Sequence, residues 1–262
     1  MGLDLLFRAY LLNLTRTDTR KLPKMPSPAV YEQEYIYWPW GRLLKEAADW
    51  TARVSPKSGV VIDYMCGTGY LLHEIGLRRP DLELAGCSLE PRSYIDYANL
   101  HYPEADVVYQ DALAYRPRKR PDVVLCTAGI HHLVREQQPR FIAKVAEELP
   151  PAGLFLIGEE IIGEYQNELE RRIAALEMCA DLVLYAIKSE APDEIIEATV
   201  DVTSNDLLEN GEYKFSKSNL LSMVSPFFDI VDFTQIWPEG KSMQYGDIIL
   251  SCRRKRHLPQ AT

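Results

Sequence analysis

The stretch that decides the fold covers residues 60–72: Val60-Val61-Ile62-Asp63-Tyr64-Met65-Cys66-Gly67-Thr68-Gly69-Tyr70-Leu71-Leu72. An apolar run typical of a buried strand leads into a turn with two glycines and then into a helical pattern. Such a turn brings the backbone close to a ligand, and the N-terminus of the following helix offers free N–H groups. The dinucleotide-binding pattern G-x-G-x-x-G is absent, because Leu72 occupies the place of its third glycine.

Outward from this stretch, short apolar runs alternate with helical patterns. Strands are predicted at residues 60–63, 82–86, 105–108, 122–126 and 153–158, and helices at residues 70–79, 92–101 and 136–149. Apolar runs bounded by turns indicate strands buried on both faces, and their alternation with helices predicts βαβ units and a parallel sheet. Residues 228–233 and 247–252 predict a β-hairpin that closes the sheet.

A helical insertion separates the fifth predicted strand from this hairpin. Its longest helix, predicted over residues 164–186, places one apolar stripe at intervals of three and four, namely Tyr165, Leu169, Ile173, Leu176, Ala180 and Val183. The stripe favours a helix packed on the sheet, a cap over a substrate, or a contact with the same helix of a second subunit. These alternatives stay open, and with them a homodimer.

The composition indicates an ordered, acidic protein. Hydrophobic residues make up 47% of the 262 residues, which excludes disorder, and a net charge of −9 argues against a nucleic-acid partner. Five cysteines without a C-x-x-C pair argue against disulfides and structural zinc. We therefore expect a cytoplasmic protein without a metal. No run approaches the ~20 apolar residues that a membrane span needs.

Residues 63–69 resemble motif I of class I S-adenosylmethionine-dependent methyltransferases, D-x-G-C-G-T-G. Four further segments resemble later elements of that family in the same order, namely residues 84–91, 109–112, 121–133 and 153–157. The resemblance covers most of the chain from Val60 to Arg254. It implies an α/β fold with a Rossmann-like sheet of seven mostly parallel strands and an antiparallel C-terminal hairpin.

The expected organisation follows from this resemblance. Residues 1–58 form an N-terminal helical cap or lid, and residues 59–162 form the core that binds S-adenosylmethionine. Residues 163–226 form the helical insertion, which caps the substrate. Residues 227–254 complete the core sheet as the hairpin, and residues 255–262 are a tail.

The resemblance also implies S-adenosylmethionine as cofactor, with S-adenosylhomocysteine as product. Gly67 and Gly69 would line the methionine moiety, with Asp63 organising the loop near its amino group. Asp111 would bind the adenine amine. The other expected cofactor contacts are Cys66, Ala112 beside the adenine ring, and the backbone around Thr127.

Two positions depart from the family pattern. Met65 stands where the motif has its first glycine, so its side chain must be housed near the cofactor or the loop must shift. Ser88 stands where an acidic residue usually holds the ribose hydroxyls, and the nearest acid is Glu90. Either Ser88 or Glu90 would then hold the ribose.

Two pairs of polar residues follow the fourth and fifth predicted strands. His131 and His132 are candidates for a general base that takes a proton from the acceptor, and the alternative is a structural role. Glu159 and Glu160 would orient a cationic amine or act as base, or form a solvated acidic turn. All four lie where open α/β sheets bind ligands.

An aromatic cluster precedes the core. It contains Tyr31, Tyr35, Tyr37, Trp38 and Trp40, and it either covers the site as a lid or packs in the core. As a lid, it would offer Tyr35 to the cofactor, and Tyr37 and Trp38 to the substrate.

The sequence therefore predicts methyl transfer from S-adenosylmethionine to the oxygen, nitrogen or carbon of a small organic acceptor. Two alternatives remain. Met65 and Ser88 are the kind of change expected if the scaffold now catalyses a cyclisation or rearrangement, because a fold does not prove its chemistry. The second alternative is that the chain is a non-catalytic subunit that supports an active partner.

Overall fold

The computed structural model describes residues 26–89, 91–240 and 244–258. Within these ranges one sheet contains seven strands: β1 (Val60–Tyr64), β2 (Glu83–Ser88), β3 (Ala105–Tyr109), β4 (Val123–Thr127), β5 (Leu154–Ile161), β6 (Phe228–Gln235) and β7 (Gly246–Arg254). Their order is β3-β2-β1-β4-β5-β7-β6, and β7 runs antiparallel to both of its neighbours. The predicted mostly parallel sheet with its closing hairpin is confirmed.

The same ranges contain eight α-helices: α1 (Pro28–Tyr37), α2 (Trp40–Val54), α3 (Tyr70–Arg78), α4 (Arg92–His101), α5 (Gln138–Glu148), α6 (Glu168–Lys188), α7 (Asp193–Leu208) and α8 (Lys217–Val224). A short 3₁₀ helix spans Ile130–His132. None of these helices is long and apolar enough to cross a bilayer. Residues 1–25 of the predicted N-terminal cap lie outside the described residues.

The sheet is covered on both faces because successive strand residues point to opposite sides. On one face, Ile62 and Tyr64 of β1 pack in a core with α5 and α8. On the other face, Val61 packs in a core with α2 and α3. This arrangement leaves the carboxyl ends of β1, β4 and β5 as the edge where side chains and loops can meet a ligand.

The structure corrects the predicted stripe of α6. Leu169 and Ile173 are 70% and 49% exposed. The buried face instead contains Arg171, Ala174, Ala175, Met178, Cys179, Leu182 and Ala186. This face packs on Ile162 and Trp237, and Ala186 packs against Ile195 of α7, whereas apolar residues around most of the helix made its period ambiguous. Tyr165, Leu176, Ala180 and Val183 are half-buried.

Candidate active site

The loop between β1 and α3 turns sharply through left-handed backbone conformations. Gly67 and Gly69 have φ of 54° and 79°, which glycine adopts at little cost. Met65 has φ of 58° and therefore holds the conformation that glycine favours, at the position where motif I has glycine. Its side chain is housed against Gly129, since a Cβ on Gly129 would lie 3.0 Å from the Met65 Cβ.

Asp63 precedes this loop and is an unpaired buried acid. Its side chain is 1% exposed, and neither carboxyl oxygen has a hydrogen-bond partner among the described residues. Burial raises the pKa of Asp63 to about 8. An unsatisfied buried carboxyl group costs free energy, which a ligand that brings an ammonium group would recover.

Helix α1 covers the loop with two tyrosines. The Tyr31 Cε1 atom lies 3.5 Å from the place that a Cβ on Gly67 would take. Tyr35, one helical turn later, packs against Tyr70 with ring centroids 5.0 Å apart. The sequence analysis named only Tyr35 as a cofactor contact. Because Tyr31 lies four residues before Tyr35, the two side chains share one face of the helix, and this spacing could have indicated that both cover the loop.

The other predicted cofactor residues follow the ends of β2, β3 and β4. Ser88 ends β2 and is 1% exposed, whereas Glu90 lies outside the described residues. The Leu113 N–H donates to Asp111 Oδ1 at 2.6 Å, which closes the turn after β3. Ala112 and Thr127, which lie on these elements, are buried, and so is Cys66 in the loop after β1.

His131 lies between two carboxylates. Its Nδ1 is 2.5 Å from Glu159 Oε2, and its Nε2 is 3.3 Å from Glu212 Oε2. Burial opposes a charge on the ring, but Glu159 and Glu212 outweigh it and raise the pKa of His131 to about 10. Both ring nitrogens therefore carry protons at neutral pH, and in this arrangement His131 is not a base.

His132 is placed differently. Its side chain is 40% exposed. Its Nδ1 lies 3.1 Å from the Gly211 carbonyl oxygen and 3.5 Å from Glu212 Oε1. A carbonyl oxygen only accepts, so Nδ1 carries the proton and donates. In the neutral ring this leaves Nε2 as a proton acceptor.

Glu159 and Glu160 point to different surroundings because adjacent strand residues face opposite sides. Glu159 is fully buried, and its Oε1 accepts from the N–H groups of Gly129 and Ile130. The carboxylate of Glu159 is thus engaged by the backbone and by His131 and does not line the cavity described below. Glu160 lines that cavity, and its role as a substrate contact stays a prediction.

That cavity has a volume of about 560 Å³ and lies between α1, α7 and the carboxyl edge of the sheet. Its walls include Tyr31, Trp38, Trp40, Ala128 and His132. Trp38 also donates its indole N–H to Thr199 Oγ1 of α7 at 2.9 Å. Tyr37 is not part of the wall, because it packs under the α6–α7 junction. A substrate contact of Tyr37 stays a prediction that this cavity does not support.

Lys214 neutralises part of the charge behind the cavity. Its Nζ lies 2.7 Å from Asp206 Oδ2 and 3.1 Å from carboxylate oxygens of Glu160 and Glu212. Burial opposes its charge, but these three acids hold the pKa of Lys214 well above its usual value. Sequence reasoning missed Lys214 and Glu212, since no local pattern marks partners that only the fold brings together.

His131, His132 and Glu212 offer ligand atoms within 4.8 Å of one another, a spacing that suits a metal ion. Both ring nitrogens of His131 are already in ion pairs. Lys214 Nζ lies 3.1 Å from Glu212 Oε2. A metal ion would meet this positive charge, so we interpret the group as an ion-pair network.

Residues 37–181 match a protein-family model described as a methyltransferase domain. Because the match covers more than half of the 262 residues, the chain belongs to this family and is a methyltransferase. The class of protein predicted from motif I is therefore confirmed. No curated protein matches the chain by sequence.

Solved structures confirm the Rossmann-like fold. Magnesium protoporphyrin IX methyltransferase ChlM from Synechocystis PCC 6803, with bound SAH, has a TM-score of 0.54 at 15% identity, over 83% of this chain and 84% of that one. The cyclase SpnF has a TM-score of 0.55 at 12% identity, over 80% of each chain. The mitomycin 7-O-methyltransferase MmcR has a TM-score of 0.53 at 16% identity over 80% of this chain, which spans about half (53%) of MmcR.

Proposed function

We propose that this methyltransferase transfers a methyl group from S-adenosylmethionine to a small organic acceptor held in the 560 Å³ cavity. The observation that carries the proposal is the unpaired, buried carboxyl group of Asp63 below a loop with left-handed glycines. A ligand fits both features if it has an ammonium group that pairs with Asp63 and a chain that lies close to the backbone of the glycine loop. The SAH bound to ChlM supports the same cofactor.

The chain's own residues divide the work between the two ligands. Gly67 and Gly69 leave room for the cofactor's methionine part, and Asp63 pairs with its amino group. When bound, the cofactor supplies an activated methyl group on a positively charged sulfur. The walls of the cavity orient the acceptor toward that methyl group and exclude water.

We assign the role of general base to His132. Its Nδ1 donates to the Gly211 carbonyl oxygen, so Nε2 is available to take a proton from the acceptor. Glu212 lies 3.5 Å from Nδ1 and stabilises the charge that the ring gains. His131 is a positioning residue, because it holds Glu159 and Glu212 in place through both nitrogens.

The proposal also concerns the location and assembly of the protein. All five cysteines are buried free thiols, which supports the predicted cytoplasmic location. A homodimer stays a prediction.

Calorimetric titration with S-adenosylmethionine and S-adenosylhomocysteine tests the cofactor assignment. We expect binding to the wild type, and a roughly 10- to 100-fold weaker affinity for Asp63→Asn, because a charge-assisted contact is lost. Asp229→Asn, an exposed acid on β6, is the matched control and should bind like the wild type. If the folded wild type bound neither compound, the proposal would fail, and a scaffold with other chemistry would take its place.

The base assignment is tested by turnover with an acceptor found in a panel screen. His132→Gln should lower kcat by about 10²–10⁴-fold, because proton removal is slowed, while S-adenosylhomocysteine affinity stays unchanged. An unchanged kcat in His132→Gln would contradict the assignment.

A further inference from the structure

Negative charge is in excess around the acceptor cavity. Among the described residues, six acids line it: Glu34, Glu160, Glu194, Glu197, Asp201 and Glu212. The cations in its wall, Lys214 and His131, are each held by at least two carboxylates. Both cations are therefore already neutralised, and the acids that remain give the cavity a negative potential.

Glu160 brings this charge to the buried end of the cavity. It is 7% exposed and ends β5. Its Oε2 lies 3.1 Å from Lys214 Nζ, whereas its Oε1 has no hydrogen-bond or ion-pair partner among the described residues. A carboxylate oxygen that lines a cavity without a protein partner is a site for a donor from a ligand.

The rim carries a second set of acids on one face of α7. Glu194, Glu197 and Asp201 follow one another at intervals of three and four, and all three line the cavity. None of them makes an ion pair with a described residue. Asp193, next to Glu194 in the first turn, does not line the cavity and offers a matched control.

Aromatic rings complete the walls. Tyr31, Trp38 and Trp40 line the same space as these acids. Aromatic faces attract cations, and the attraction grows when the site is partly desolvated. Carboxylates at both ends of an aromatic-walled cavity favour an ammonium group over a hydroxyl or carboxylate group.

We propose that the acceptor of this methyltransferase carries a cationic amine, held at Glu160 and drawn in by the acidic face of α7. The inference rests on the proposed function and names the substrate class of the same cavity. It states how the acceptor is recognised and applies whichever atom takes the methyl group.

The test compares three probes that share one ring system: tryptamine, tryptophol and indole-3-propionate. Each is titrated calorimetrically into protein saturated with S-adenosylhomocysteine. We expect tryptamine to bind at least tenfold more tightly than tryptophol, and indole-3-propionate to bind more weakly than either. The preference for tryptamine should shrink as salt rises from about 50 to about 500 mM, because salt screens the rim.

Substitutions of these acids test which of them cause the preference for tryptamine over tryptophol. Glu197→Gln combined with Asp201→Asn should weaken tryptamine binding about tenfold and leave tryptophol binding unchanged, whereas Asp193→Asn should change neither. Glu160→Gln should weaken tryptamine further, with folding checked by circular dichroism. The failure of the proposed function appears separately, as a lack of S-adenosylhomocysteine binding, and the probes are then titrated into the free protein.

Three results would overturn the inference. The first is equal affinity for the cationic, neutral and anionic probes. The second is a loss of tryptamine binding in Asp193→Asn as large as that in the rim variant. The third is no binding of any probe at millimolar concentration, since an open cavity of this charge should hold an aromatic ammonium.

Discussion

Met65 holds a left-handed backbone conformation in the loop between β1 and α3, with φ of 58°. A side chain at such a φ is strained by about 1 kcal/mol relative to glycine. Met65→Gly removes both the strain and the packing against Gly129, whereas Met65→Ala removes the packing alone. We therefore expect Met65→Gly to be more stable than Met65→Ala by about 1 kcal/mol in urea unfolding. Equal stability of the two variants would show that the loop relaxes away from this conformation.

Asp63 links cofactor binding to pH. Its pKa of about 8 keeps it mostly protonated at pH 7 in the free protein, whereas pairing with an ammonium group needs the carboxylate. Binding of S-adenosylhomocysteine at pH 7 should therefore release close to one proton, and affinity should rise until about pH 8. Calorimetry in two buffers of different ionisation enthalpy measures the released proton. Asp63→Asn is the control and should release none from this position.

In the unliganded protein, the buried carboxyl group of Asp63 lowers the free energy of unfolding. Because the folded state raises the pKa of Asp63, it binds more protons than the unfolded state between about pH 4 and 8, and stability falls as pH rises through that window. Asp63→Asn should therefore stabilise the free protein at pH 8 by roughly 1–3 kcal/mol. A less stable variant at pH 8 would mean that Asp63 has a partner in solution.

Single residues differ in how far the sequence predicts them. Asp63, Gly67 and Gly69 lie within one short motif, and their neighbours are local. The roles of His131 and His132 cannot be ranked from sequence, because what separates them lies far along the chain. Glu159 is 28 residues from His131, and Gly211 is 79 residues from His132.

Helix α6 has two faces that look alike in sequence. Leu182 is 1% exposed and Leu184 is 49% exposed. We expect Leu182→Ala to cost about 2–5 kcal/mol, because it leaves a cavity in the buried cluster that contains Met178 and Trp237, and Leu184→Ala to change stability by less than about 0.5 kcal/mol. Urea unfolding of the two variants compares the same substitution two residues apart. Similar losses in both would indicate that the exposed face is covered in solution.

Amino-acid composition explains why the sequence predicts the strands well and the buried face of α6 poorly. The strands have apolar runs of the right length and clear turns, so their positions are predicted well. Helix α6 has apolar residues on most sides, and the choice of buried face depends on where distant residues such as Ile162 and Trp237 pack against it. Packing between elements determines the buried face, and the hydrophobic periodicity of the sequence does not reveal it.

Across the whole molecule, His131 joins β5, the 3₁₀ helix and the segment after α7 through Glu159 and Glu212. Its folded pKa of about 10 lies above the ordinary value of 6.5. The stabilisation is therefore fully present below about pH 6.5 and is lost as pH rises toward 10, by at most about 1.4 kcal/mol per pH unit. Denaturant unfolding across this range should show a steeper fall for the wild type than for His131→Gln. His101→Gln, an exposed histidine, should keep the wild-type slope.

The sheet and its order follow from motifs in the sequence, whereas the acceptor cavity does not. Its walls come from α1, the edge of the sheet, and α7 with the segment that follows it. Trp38 and Thr199, which hydrogen-bond across it, are 161 residues apart. The sequence contains acids at positions i, i+3 and i+7 of α7, namely Glu194, Glu197 and Asp201. Only the fold shows that these acids face a cavity.

Tyr31 touches two sites at once, since it covers Gly67 and also lines the acceptor cavity. Because α1 forms a wall of both sites, we expect this helix to move when either ligand exchanges. An acceptor in the cavity should then hold α1 over the loop, so that cofactor exchange is slowest when the cavity is full. Turnover should follow a compulsory order, in which the methyl donor arrives first and its spent form departs last.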